Sequence, residues 1–147
     1  MIDQPLEILL VEDNANDVEL ALHALRKHNL ANRIAVARDG VEALELLFGT
    51  DAGKKDPDVG YPGVILLDLK LPRLDGLEVL ERIKADSKTR TIPVVVLTSS
   101  REEQDILRCY ALGVNSYIVK PVDFAQFCEA IRQVGMYWLL LNQRPAP

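Results

Sequence analysis

Short apolar runs alternate with helical patterns along most of the chain. Five runs read as strands: 7–11, 33–37, Val64–Leu67, Val94–Thr98 and Ser116–Val119. Four are continuously apolar instead of alternating, as parallel strands covered on both faces must be. Between them, Val18, Ala21, Leu22 and Leu25 recur at i, i+3, i+4 and i+7 and predict one helix. Val41, Leu44, Leu47 and Phe48 predict a second. Leu77, Leu80 and Lys84 place a third on a weaker stripe. Helix starts are marked by a capping residue with an acceptor three positions on: Asp39 with Glu42, Ser100 with Glu103, Asp123 with Gln126.

Five βα units in series predict an α/β fold, a doubly wound five-stranded parallel sheet with five helices. The order 2-1-3-4-5 sets strands 1 and 3 side by side at the switch point. Ligands of such sheets bind beyond the carboxyl ends of the strands. Residues 1–147 are expected to form one domain, with 132–147 as a C-terminal helical extension and tail and no output domain after it. The 49–63 connection is longer than a compact α/β domain needs and is rich in Gly, Pro, Lys and Asp; partner contact and plain disorder both remain open for it.

Composition narrows the class. Of 147 residues, 48% are hydrophobic and 27% charged, as in a globular protein, and the net charge of −5 comes with no basic stripe. Direct nucleic-acid binding is not expected. No signal peptide precedes the first strand, and no apolar run nears the roughly 20 residues of a membrane span. The two cysteines, Cys109 and Cys128, fit no zinc spacing and read as small core residues in a reducing compartment, so the expected location is cytoplasmic. His23 and His28 read as surface residues.

The chemistry gathers at the strand ends. Strand 1 ends in Glu12-Asp13, strand 3 in Asp68, strand 4 in Thr98 and strand 5 in Lys120-Pro121. Carboxylates held about 4–5 Å apart repel by roughly 1 kcal/mol per pair in water, and by about 4 at an effective dielectric of 20. A hard divalent cation relieves that conflict, and all-oxygen ligands favour Mg²⁺ or Mn²⁺ over zinc. Asp68 is the candidate nucleophile for phosphoryl transfer, through an acyl phosphate. Lys120 is placed to clamp a phosphate as a point charge. Thr98 adds a hydroxyl at the same rim. A cis bond at Pro121 would aim Lys120 inward, and the sequence leaves cis or trans open.

Together these motifs resemble the receiver domain of two-component response regulators, a flavodoxin-like fold, from Leu6 to about Ile131. The matching stretches are Leu9-Leu10-Val11-Glu12-Asp13-Asn14, Asp68 with Leu71-Pro72-Arg73-Leu74-Asp75-Gly76, Leu97-Thr98-Ser99, and Lys120-Pro121. The resemblance implies that Asp68 accepts a phosphoryl group from a sensor histidine kinase. It implies Mg²⁺ held by Asp13, Asp68 and the Lys70 backbone carbonyl, with Glu12 acting through water. Thr98, Ser99 and Lys120 would bind the phosphoryl group. Thr98 and Tyr117 would switch the surface of helix 4, strand 5 and helix 5.

The long loop and the tail resemble the stand-alone regulators that accompany bacterial phytochrome kinases. That likeness implies a phytochrome partner and a homodimer through the last helix, with Tyr137, Trp138, Leu139, Leu140 and Leu141 as the interface. Phe124, Phe127, Cys128, Ile131 and Trp138 are expected to face the core. Rival folds fit less well. A dehalogenase-type phosphatase wants a second aspartate where Lys70 stands, and an FMN-binding flavodoxin would not place Glu12-Asp13 in its phosphate loop.

Overall fold

The computed structural model describes residues 6–30, 33–49 and 60–145. Five strands, β1 (Ile8–Val11), β2 (Ile34–Ala37), β3 (Val64–Leu67), β4 (Val94–Thr98) and β5 (Ser116–Val119), form one parallel sheet in the order β2-β1-β3-β4-β5. Helices α1 (Ala15–Lys27), α2 (Gly40–Phe48), α3 (Gly76–Ala85), α4 (Glu103–Leu112) and α5 (Phe124–Gly135) connect and cover it. In register, Val11 lies beside Leu67, and Leu67 beside Val96. The residues that follow these strands therefore emerge together at one edge.

The apolar runs show why. Successive side chains of a strand point to opposite faces. Leu9, Val11, Ile65, Leu67, Val94 and Val96 pack beneath α2, α3 and α4. Ile8, Leu10, Val64, Leu66, Val95 and Leu97 pack beneath α1 and α5. The three central strands are buried throughout, whereas β5 and most of β2, at the sheet's edges, are half-buried.

Helix starts follow the expected chemistry at two of three places. Asp39 accepts from the Glu42 amide and Asp123 from the Gln126 amide. The third differs: α4 begins at Glu103 after Glu102, with no side-chain cap. Ser100 instead donates its hydroxyl to Asp105 at 2.6 Å, so it is tied to the helix from outside. Asn14 and Asp75 cap α1 and α3.

Chain continues from α5 into a π-helical segment, Met136–Leu141. Trp138 and Leu139 lean onto the α1/α5 core, while Tyr137, Leu140 and Leu141 stay exposed. One expectation fails here. Phe124 is exposed and not core-facing, because it is the first residue of α5, at the open rim of the sheet. Cys109 is buried, Cys128 half-buried, and both are free; His23 and His28 are exposed. Most of the 49–63 connection lies outside the described residues. Among those described, no helix is long and apolar enough to cross a membrane.

Candidate functional site

Asp68 follows directly on β3, its amide fixed to the Val11 carbonyl at 3.1 Å. Glu12 follows β1, with its amide on the Ala37 carbonyl at 2.9 Å. The sheet thus delivers both carboxylates to one rim on rigid backbone. Glu12, Asp13 and Asp68 each offer an oxygen within 4.8 Å of the others. Glu12 and Asp68 are buried, at 3% and 7% exposure. Asp13 is exposed, so a cation could enter from its side.

Lys120 supplies the counter-charge. Its ammonium lies 2.7 Å from Glu12 Oε1, 2.8 Å from Asp17 Oδ2 and 3.2 Å from Asp68 Oδ2. The Lys120 amide donates to the Thr98 carbonyl at 2.8 Å, which ties strand ends β4 and β5 together. No cis peptide bond occurs among the described residues, so Lys120-Pro121 is trans. Asp17 is the site residue that the sequence reading missed. Its signal was local: an acid in the first turn of α1, three residues after the cap Asn14, on the helix that leaves the acidic strand end.

One ammonium faces three carboxylates, so the cluster keeps an excess of negative charge in a partly dry place. Glu12 responds most. Burial pushes its carboxyl up to about 7, and the Asp68 charge adds to this against the pull of the Lys120 hydrogen bond. For Lys120, burial alone would lower the pKa. The hydrogen bonds to Asp17 and Glu12 and the Asp68 charge reverse that and raise it. The ammonium stays charged.

Thr98 is fully buried, and its hydroxyl accepts a long, 3.4 Å bond from the Ser100 amide. Ser99 is exposed in the loop beyond it. Tyr117, half-buried on edge strand β5, donates its hydroxyl to the Ser100 carbonyl at 3.0 Å. Burial raises its phenol pKa, against the pull of that bond. Asp105 completes the network by taking the Ser100 hydroxyl and standing 3.8 Å from the Lys70 ammonium. The Lys70 amide turns back to Asp68 Oδ1 at 3.4 Å. Acids, Lys120 and Thr98 are therefore brought together, while Tyr117 reaches the rim only through the loop after β4.

The donor set is all oxygen, two of its carboxylates are buried, and one approach is open. It fits a hard divalent cation. A buried carboxylate beside a lysine at the mouth of parallel strands also fits a phosphoryl acceptor.

Known proteins agree. The family model for the response regulator receiver domain matches residues 8–132. The chain is 40% identical over 145 residues to the probable methanogenesis regulatory protein FilR2 of Methanothrix harundinacea, covering 99% of this chain and 91% of that one. It is 36% identical over 142 residues to response regulator Rcp1 of Synechocystis, covering 97% and 95%. The crystal structure of the Mn²⁺-bound form of Rcp1 superposes with a TM-score of 0.87 at 35% identity, covering 97% of this chain and 100% of that one. The bacteriophytochrome response regulator AtBRR is 56% identical, with a TM-score of 0.71 and coverage of 95% and 99%. Chain order, strand-end carboxylates and these likenesses converge: the chain belongs to the response regulator receiver domain family.

Proposed function

We propose that Asp68 accepts a phosphoryl group from a histidine kinase in a Mg²⁺-dependent reaction, and that the surface of α4, β5 and α5 reports the result. The observation that carries this reading is the meeting of Glu12, Asp13, Asp68 and Lys120 at one strand-end rim. The transfer forms a bond between an Asp68 oxygen and phosphorus. It breaks the phosphorus–nitrogen bond of a phosphohistidine, whose imidazole takes up a proton as it leaves. Asp13, Asp68 and the Lys70 carbonyl are the ligands we assign to Mg²⁺, with Glu12 acting through water. When bound, the ion neutralises charge on the phosphoryl oxygens. Lys120 then has a new anion beside it, and Thr98 and Ser99 offer further donors.

Switching follows from the network after β4. A phosphoryl group draws the Thr98 hydroxyl and the Ser100 amide toward Asp68, which disturbs the carbonyl that holds Tyr117. The outcome is a population shift between two packings of the loop and β5. A phytochrome-type kinase is the partner we favour, because AtBRR and this chain are similar over nearly their whole lengths. Homodimerisation through the exposed Tyr137, Leu140 and Leu141, beside Trp138 and Leu139, belongs to the same reading. We place this receiver in the cytoplasm, where its two free cysteines would stay reduced, and assign it no direct contact with nucleic acid.

Intact-mass measurement after acetyl phosphate and Mg²⁺ treatment tests the central claim. Wild type should gain one phosphoryl group and Asp68→Asn none. Equal labelling of the two would refute the assignment.

A further inference from the structure

The loop between β3 and α3 carries Asp68 and Lys70, and few bonds of its own hold it. The Leu71 amide donates to the Leu69 carbonyl at 3.2 Å, Leu74 to Pro72 at 2.7 Å, and Gly76 to Leu69 at 2.9 Å. The second of these bonds spans Arg73, whose φ is +64°. A three-residue turn with positive φ at its centre is the rare, strained form of the γ-turn. Arginine has neither the freedom of glycine nor the short polar side chain of asparagine that eases such a backbone. Strain of this kind persists where the surroundings over-determine it, and it gathers at functional sites.

Those surroundings come from a different strand end. Asp39, beyond β2, receives Arg73 Nε at its Oδ2 and the neighbouring guanidinium nitrogen at its Oδ1, each at 3.0 Å. The same carboxylate accepts the Glu42 amide at 2.8 Å as the cap of α2, so a helix holds it in place. That amide, with Arg73 adding to it, keeps the Asp39 carboxyl below its ordinary range. Just beneath, a Cβ on Gly40 would stand 2.2 Å from the Leu74 carbonyl oxygen, so the first turn of α2 presses directly on the loop. The Arg73 side chain is 58% exposed, and a loose surface pair would do little there. A two-point grip on an anchored carboxylate fixes orientation as well as distance.

We propose that the Asp39–Arg73 pair, seated on the Gly40–Leu74 contact, is a clamp that holds the β3–α3 loop in its strained form and so sets the affinity of the strand-end site for its cation. Asp39 and Arg73 are positioning residues here, acting through the backbone that leads to Lys70. The inference rests on the assignment of Asp13, Asp68 and the Lys70 carbonyl as ligands.

Charge alone predicts the opposite sign for one variant, which makes the test sharp. Removing a cation near an acidic site tightens Mg²⁺ binding, whereas removing a clamp weakens it. Calorimetric Mg²⁺ titrations of the full chain at fixed ionic strength should compare wild type, Arg73→Ala, Asp39→Asn and the double variant. Asparagine keeps the α2 cap, so Asp39→Asn isolates the grip. Each single variant should bind Mg²⁺ roughly tenfold more weakly, as for groups that orient metal ligands, and the double variant no more weakly than either. Arg73→Gly, which removes the grip but also makes the positive φ cheap, should lose less affinity than Arg73→Ala, and Asp39→Asn carries the test if Arg73→Ala does not fold. Unchanged or tighter binding by Arg73→Ala, unchanged binding by Asp39→Asn, or losses that simply add, would overturn the clamp. Asp13→Ala is the control: if it binds Mg²⁺ like wild type, the metal assignment fails, not the clamp.

Discussion

At the scale of the residue, Lys120 is an ion-pair hub as well as the phosphoryl ligand proposed above. Its ammonium already holds three carboxylates from β1, α1 and β3 together, with only 12% of its side chain exposed. Glu12 shows the same economy, accepting the Asn14 amide at 3.1 Å as well as the Lys120 ammonium. Removing one partner of a buried ion pair leaves uncompensated charge and costs about 3–5 kcal/mol. Lys120→Ala should therefore lower metal-free stability by about that much, and saturating Mg²⁺ should restore part of it; denaturant midpoints with and without the ion check both. Glu12 gives a pH prediction. Its folded pKa of about 7 lies above the ordinary 4.5, so between those values the folded protein binds more protons than the unfolded chain. Stability contributed by Glu12 is then fully present below pH 4.5 and is lost as pH rises through 7. In chelator, Glu12→Gln should flatten that part of the curve of stability against pH. A wild-type curve no steeper than the variant's over that window would contradict the assignment.

At the scale of the element, strand ends and helix starts share the same few atoms. Asp68 follows β3, and α3 begins at Gly76 so close by that a Cβ there would meet the Asp68 carbonyl oxygen at 2.3 Å and the Leu69 Cα at 2.6 Å. Both obstacles are backbone, which cannot swing aside as a side chain would. Gly76→Ala should cost about 1–3 kcal/mol through overpacking and slow phosphorylation of Asp68, measured by denaturant midpoint and intact mass. Normal stability with normal labelling would show that the loop has slack. The end of α5 shows a different economy. Winding as a π-helix from Met136 to Leu141, it brings Trp138 and Leu139 onto the core and leaves Tyr137, Leu140 and Leu141 outside.

At the scale of the whole molecule, the sheet divides two cores and gives each end a separate task. The carboxyl ends carry the charged site, α4 exposes Leu107 and Tyr110, and the π-helical segment exposes Tyr137, Leu140 and Leu141. The homodimer proposed above would cover the exposed side chains of the π-helical segment. Removing the whole tail would also strip Trp138 and Leu139 from the core, so truncation would confuse folding with assembly. The double variant Leu140→Glu with Leu141→Glu avoids this. Light-scattering mass should fall from dimer to monomer in the variant while its melting temperature holds. A mass equal to that of wild type would remove these residues from any interface.

Sequence alone determined the strands, the five helices, the charged strand ends and the family from local signals, and the βα alternation with its crossover rules supplied the sheet order. Continuous apolar runs mark buried parallel strands, caps mark helix starts, and a carboxylate at the end of such a run has one place to go. It also exposed its own limits. Ser100 looked like a cap because the short-range pattern allowed it, yet Asp105 competed for its hydroxyl. Phe124 looked like core because periodicity does not show where a helix leaves the protein's edge. Asp17 on Lys120, Arg73 on Asp39 and Tyr117 on the Ser100 carbonyl were decided only in three dimensions. The physical reason is the same in each case: the partners lie 17 to 103 residues apart in the chain, and only the packing of helices against a twisted sheet fixes which charges meet.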